Sequence, residues 1–297
     1  MSSQAHTDFQ GQLGIDTNAT VTLRQDYVHE DVKVQEEFKD TNGLRGTREH
    51  DITRVRAGNR RIGGPITMEP TAVEWAALLP WILGGTPSGT TYPLADSAPT
   101  GRYVVVDRGA KVFSYNGCQV DRATIRGSEG NALEVTLDVV GIDESVGNSG
   151  TFPSLSLDTT TGPFMFTDSS GAVSINSATT NIKNIEIVID NQIDKGRFYN
   201  SQTLVTVQPM DRHITVAFDV PYGDSSALYN TGAGGVAVTA TFTNGTVSIA
   251  FSFVKVTFPR ESPTYVNGRG EVMLRLRGKA YKSSSTLSLV TTLDSTP

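Results

Sequence analysis

The carboxylate run Asp190-Asn-Gln-Ile-Asp194-Lys-Gly196 is the stretch whose spacing comes nearest to a cation-binding loop. A calcium loop of this kind needs Gly at its sixth position for the sharp turn and a bidentate Glu at its twelfth. Those positions hold Lys195 and Ser201, so the run is read as a turn and not as a metal site. Gly232-Ala-Gly-Gly235 lacks the preceding strand and following helix that a phosphate cradle requires, and it too is read as a flexible turn. The four histidines, His6, His29, His50 and His213, show no metal-ligand spacing. The single cysteine, Cys118, cannot form an internal disulfide, which fits synthesis in a reducing cytosol. No Ser/His/Asp or Cys/His set is assembled by spacing. The chain is therefore read as a non-enzyme with no catalytic residue, cofactor or metal.

The remaining chemistry is ionic. Arg45, Arg48, Arg54, Arg56, Arg60 and Arg61 gather in one stretch, interleaved with Glu49 and Asp51, and no Phe, Tyr or Trp lies within 45–61 to stack on a base. Three readings stay open for it: a solvated loop, salt bridging between subunits, or a nucleic-acid contact. Acidic partners for the second reading are Asp26, Glu30, Asp31, Glu36 and Glu37. The formal charge is −6, and residues 1–150 carry the whole excess, with 14 Lys and Arg against 20 Asp and Glu. Net acidity argues against nucleic acid as a tight ligand, because that affinity comes from cations displacing counterions. It leaves room for DNA that slides past without sticking. Trp75 and Trp81 sit among Ala and Leu and are read as core in preference to a sugar platform.

The elements that would position these groups are mostly strands. Apolar residues alternate from Val236 to Phe258 with Asn244-Gly245 between the two runs, a hairpin in which both turn residues need positive φ. A second hairpin is expected from Tyr103–Val106 and Lys111–Tyr115, turned by Asp107-Arg108-Gly109. Further strands are expected at 19–27, 62–68, 133–140, 182–190, 213–220 and 272–277. One helix is expected at 71–83, capped by Thr71, ended by Gly84-Gly85, and kinked or restarted at Pro80. A helical stub is expected at 225–229. Long connections at 39–57 and 195–208 exceed the usual loop length and are candidates for function. The Gly/Ser/Thr/Pro-rich stretch 147–180 is read as a partly folded boundary. No basic stretch precedes an apolar run at the start, and no long apolar run occurs, so neither a signal peptide nor a membrane span is expected.

The sequence also repeats. Phe113-Ser-Tyr115 overlies Phe251-Ser-Phe253, and the run ending at Gly141 (Leu-Glu-Val-Thr-Leu-Asp-Val-Val-Gly) overlies the run ending at Gly278 (Gly-Glu-Val-Met-Leu-Arg-Leu-Arg-Gly). Two modules are expected, 1–150 and 151–297, and tandem copies are a source of pseudo-symmetric, closed assembly.

In the second module, Asn184-Ile-Glu-Ile-Val-Ile-Asp-Asn191, Arg197-Phe-Tyr-Asn-Ser-Gln-Thr203 and Asp211-Arg-His-Ile-Thr-Val-Ala-Phe-Asp-Val-Pro-Tyr222 resemble the tail tube (major tail) proteins of long-tailed, non-contractile bacteriophages. The resemblance implies a mainly β chain of two β-sandwich or barrel modules, each with a short flanking helix, longer in the first. It implies that six modules close a continuous inner barrel around a channel for DNA, so that three two-module copies make a ring. Ring stacking would use the long connections, with Arg45, Arg48, Arg54 and Arg56 in the first and Arg197, Phe198, Tyr199 and Asn200 in the second. Arms at 1–16 and 283–297 would join in. Tape-measure and terminator proteins would be partners in the virion tail, and DNA would pass without specific binding along a channel for whose acidic lining Asp26, Glu30, Asp31, Glu36 and Glu37 are candidates. A receptor- or carbohydrate-binding β-sandwich is the alternative from another class.

Overall fold

The computed structural model of the chain describes residues 11–18, 20–22, 24–40, 49, 52–97, 99–148, 152, 157–165, 173–196, 201–221, 234–245, 247–259, 272–283 and 287–294. In chain order, the first-half strands are β1 (Gln12–Asp16), β2 (Arg24–Gln25), β3 (His29–Glu30), β4 (Lys33–Lys39) and β5 (Arg56–Met68). After helix α1 (Ala72–Leu83) come β6 (Thr91–Pro93), β7 (Arg102–Asp107), β8 (Lys111–Ser128), β9 (Glu134–Gly141) and β10 (Asp143–Asn148). The second half holds β11 (Val173–Ile175), β12 (Ala178–Thr179), β13 (Asn184–Asp190), β14 (Ile193–Asp194), β15 (Gln208–Pro209) and β16 (His213–Pro221). It ends with β17 (Val236–Asn244), β18 (Val247–Thr257), β19 (Met273–Tyr281) and β20 (Leu289–Asp294). The fold is mainly β and antiparallel, with α1 as the α-helix among the described residues.

The two-residue period seen in the sequence becomes one buried and one open face. Val135, Leu137 and Val139 of β9, Ile185, Ile187 and Ile189 of β13, and Leu274 and Leu276 of β19 point into the core, and their neighbours do not. One row of strands runs β4–β5–β9–β8–β13–β16–β19, and Lys255–Thr257 of β18 lie against the end of β19. A second layer is built on the first parts of the two long strands. There β8 carries β7, β1 and β2 on one edge and β10 on the other. In the same way β18 carries β17, β11 and β12 on one edge and β20, then β6, on the other.

Strand β8 therefore serves both layers, residues 111–118 in one and 119–128 in the other. It turns between them at Gly117, where φ is +62° and a Cβ would come within 2.6 Å of Ile142 Cδ1. Only glycine takes that backbone conformation at so crowded a corner without strain. On β5, a Cβ at Gly64 would meet the Asp31 carbonyl oxygen at 2.0 Å, so the strand can lie that close only because the side chain is missing.

The main hydrophobic cluster runs from Leu13 to Leu293 and fills the space between the layers, and a smaller one gathers Val21, Val105, Val112 and Phe152. Helix α1 lies inside it, with Trp75, Leu78, Trp81 and Ile82 all at 1% exposure or less. Although it belongs to the first half, the helix packs against second-half strands. The Trp75 ring meets Phe251 edge-on at 6.2 Å, and Phe251 meets Phe242 at 6.4 Å. Trp81 Nε1 donates to the Cys118 carbonyl at 2.9 Å, satisfying the one polar atom of a buried indole. The Thr71 cap is a full capping box: Glu74 N–H reaches the Thr71 hydroxyl and the Glu74 carboxylate accepts the Thr71 N–H. Gly84 closes the helix at φ +82° with its N–H on the Pro80 carbonyl.

Several boundaries differ from expectation. The helix runs unbroken through Pro80, which stands in the last turn where a proline removes only one ladder hydrogen bond. Strands β5 and β8 each extend well past their expected 62–68 and 111–115. Within 19–27 only Arg24 and Gln25 are strand, with Ala19 and Leu23 outside the described residues. Parts of both expected arms are inside the sheets: β1 pairs with β7, and β20 pairs with β18 and β6. The stretch 147–180 is folded in part, with Phe164 fully buried and its carbonyl accepting the Leu133 N–H at 2.7 Å. The stub at 225–229 lies outside the described residues. No helix described is long and apolar enough to cross a membrane.

Candidate assembly surface

The face of the main row turned away from the core is polar, and its charges are ordered by strand register. Arg126 of β8 stands between Glu134 of β9 and Glu186 of β13; its Nε donates to Glu186 Oε2 at 2.9 Å. Arg122 stands between Asp138 and Asp190 in the same way, with Nη2 at 3.2 Å from Asp190 Oδ2. Between these two rows, Thr67 and Thr136 share a hydroxyl contact of 3.1 Å. Further along, Asn184 donates to Asp219 at 2.6 Å, and Arg275 lies opposite Asp219. The surface is of mixed sign, each arginine at the middle of the row being flanked by two carboxylates. Exposed pairs of this kind contribute only about 0.2–1 kcal/mol each, so they set the character of the surface more than its stability.

The acidic candidates for a channel lining are distributed differently. Arg108 grips Glu30 through contacts of 2.7, 3.0 and 3.3 Å, and the same carboxylate accepts the Val32 N–H at 2.6 Å. Asp31 is paired with Lys33 at 2.7 Å and Glu37 with Lys39 at 3.0 Å. The lysine hydrogen bonds hold both carboxyls below their usual range. Asp26 gives its backbone N–H to the buried Glu74 carboxylate at 2.7 Å, and Glu36 lies exposed on β4 opposite Arg60. Three of the five are thus engaged by basic groups of their own chain.

Of the stacking candidates, Arg45, Arg48, Arg197, Phe198, Tyr199 and Asn200 lie outside the described residues. Arg54 is exposed in a short 3-10 turn, Ile52–Arg54, and Arg56 turns its guanidinium back onto the Thr53 and Val55 carbonyls at 2.7 and 3.0 Å. The second connection is held by residues the sequence did not single out. Asp121 on β8 accepts the Ile193 N–H at 2.8 Å and Lys195 Nζ at 2.6 Å. Gln202 accepts the Arg60 N–H at 2.8 Å and donates from its amide to the Ala57 carbonyl at 3.2 Å, and Leu204 is buried. Asp121 and Gln202 carry no mark in the sequence, because their partners are 72 and 145 residues away.

The row has two ends. The outer edge of β4 has no strand partner among the described residues, and Phe38 at its tip is 69% exposed. At the other end stands β19, with β16 on one side and Lys255–Thr257 of β18 against its last residues, Lys279–Tyr281. Unpaired edges are templates for another chain. Among the described residues no group of three or more His, Cys, Asp or Glu converges as a metal site. Cys118 is fully buried, and burial pushes its thiol up to about 12.

No curated protein matches the chain at a significant level. The family model of the phage tail tube protein, however, matches residues 8–280, almost the whole length of this edge-bearing β structure, and the chain belongs to that family of structural tail proteins.

Proposed function

We propose that the chain consists of two fused tube modules, 1–150 and 151–297, and that three copies close into a ring of six. Stacked rings then form the tube of a long-tailed, non-contractile phage tail, the conduit for genomic DNA. The observation that carries this reading is that one pairing scheme occurs twice. The pairs β4–β5, β5–β9 and β8–β9 match β13–β16, β16–β19 and β18–β19. The pairs β7–β8, β8–β10, β1–β7 and β1–β2 match β17–β18, β18–β20, β11–β17 and β11–β12. Superposing the two registers on Gly141 and Gly278 places Ile62 on Val216 and Val34 on Ile187.

In this scheme β8–β13 is the joint between modules, the last strand of one beside the opening strand of the next. The same joint between copies sets the open edge of β4 against the far end of a neighbour's row. Repeated three times it closes the sheet and leaves no edge, the condition for a barrel. Ring-on-ring contact is head to tail and does not close, so it grows a filament. The chain ends, with those parts of the long connections not engaged within the ring, supply that contact, with tape-measure and terminator proteins at its limits.

The polar face of the row then lines the channel. A phosphate that bound an arginine there would release counterions and be retained, which is friction. Flanking each central arginine with two carboxylates removes that attraction without an acidic ring. Electron microscopy of the concentrated protein tests the reading. Hollow tubes whose rings contain three chains are expected; discrete particles at every concentration, or rings with another number of chains, would overturn it.

A further inference from the structure

Inside the chain, the segment that follows β13 crosses the end of the sheet and settles on the start of β5, where Gln202 holds Ala57 and Arg60. In the superposed registers Ala57 and Arg60 correspond to Asp211 and Ile214 at the start of β16. The segment that corresponds to the clasp is the one that follows β4, the first connection. From the positions that match at either end, Glu37 with Asp190 and Asn59 with His213, the two connections differ in length by one residue.

The surface around Asp211 and Ile214 is a groove of about 490 Å³ whose walls include Asp96, Met210, Arg212 and Tyr281. Met210 is 67% exposed and Tyr281 46% exposed. On the first connection and its approach, Phe38 is 69% and Ile52 80% exposed. Large apolar side chains left open on two surfaces that the repeated scheme brings together are what an interface would cover. The Arg212 guanidinium is already committed to Asn191 Oδ1 at 3.0 Å and the Ala95 carbonyl at 2.7 Å. Asp211 lies 3.0 Å from His213 Nε2, and Lys279 and Lys282 stand in the same walls as Asp96, so the groove is of mixed sign and its apolar walls are what an incoming segment would cover.

We propose that this groove receives the first connection of the neighbouring copy in the same ring, with Ile52 packed on Met210 and Tyr281, so that each copy clasps the next as its second half clasps its first. The proposal rests on the ring reading but is separable from it.

The test places cysteines at Glu49→Cys and Asp211→Cys in one chain, matching the Gln202–Ala57 contact, and treats assembled tubes with a short bis-maleimide. Cys118 is fully buried and stays silent. Covalent species that stop at three chains are expected, in large excess over a control pairing Glu49→Cys with Val146→Cys. Normal tubes with no such cross-link, a ladder that continues past three, or equal linking in the control would overturn the clasp while leaving the ring intact. Absence of tubes from the unsubstituted protein would instead overturn the ring. If the double variant does not assemble, Ile52→Asp and Met210→Asp decide the matter. Both positions are exposed in the single chain, so each should keep its unfolding midpoint and lower ring yield about tenfold. Unchanged ring yield from both overturns the proposal.

Discussion

Truncating Ile187 to alanine probes the joint between the halves. Ile187 is fully buried at the centre of β13, directly opposite Ile125 of β8 on one side and Val216 of β16 on the other. Three carbons are removed, about 2.4 kcal/mol of transfer free energy at roughly 0.8 kcal/mol each. The rigid strands on both sides cannot collapse into the space, so a cavity contribution brings the cost to about 3–4 kcal/mol, within the range known for such truncations. At about 1.4 kcal/mol per decade, that raises the unfolded fraction more than a hundredfold. Urea unfolding followed by tryptophan fluorescence and by far-ultraviolet circular dichroism measures it. With a slope of about 3 kcal/mol per molar, the midpoint should fall by about 1 M. Both tryptophans sit on α1 in the first half, yet they should report the loss, because one core spans the chain. A tryptophan midpoint that stays put while the dichroism splits into two steps would show that the halves unfold independently. A cost below about 1 kcal/mol would show that the joint is not packed as described.

Other expectations concern the edge, the helix cap and the thiol. Val34→Lys, the position on β4 that corresponds to Ile187, puts a charge where a partly buried side chain packs on the core beside the open edge; the lysine stem can extend past the rim, so the chain should remain folded at some cost in stability while tube formation, read by sedimentation and microscopy, is lost. Burial raises the Glu74 carboxyl above its ordinary value near 4.5, so its favourable contribution is complete below that pH and is lost as pH rises through the raised value. Subtracting the stability of Glu74→Ala from that of the unsubstituted chain between pH 4 and 7 should give a difference that shrinks with pH. The variant should also lose about 1–3 kcal/mol through the orphaned Asp26 and Thr71 N–H groups; a difference that grows with pH would refute the assignment. Cys118 should resist a water-soluble thiol reagent at pH 8 in the folded chain and react only at the rate of global opening.

A tube subunit must be soluble alone and adhesive in company. The surfaces proposed for adhesion lie at the ends of the row: the β4 edge with exposed Phe38, the turn bearing exposed Ile52, and the groove with Met210 and Tyr281. The joint that would be made between copies already exists once within each copy, at β8–β13. On the proposed two-module reading, fusion would lower the number of association events needed to close a ring, and with it the entropy cost of closure.

Local sequence determined most of the strands, the hairpin at Asn244-Gly245, the helix with its Thr71 and Gly84 ends, and the burial of Trp75 and Trp81. These depend on contacts within a few residues or on a two- or 3.6-residue rhythm that a sequence displays directly. The matched runs ending at Gly141 and Gly278, on which the two-module proposal draws, are visible in the sequence itself. Tertiary structure decided what that rhythm cannot express. It drew Gln12–Asp16 and Leu289–Asp294 into sheets, continued β8 around Gly117 into a second layer, and gave Glu30, Asp31 and Glu37 basic partners within the chain. It also chose Asp121 and Gln202 as the residues that hold the second connection. Each of these outcomes depends on which distant strand lies alongside, and strand pairing is set by the summed burial and register of the whole sheet, a quantity that no local stretch of sequence contains.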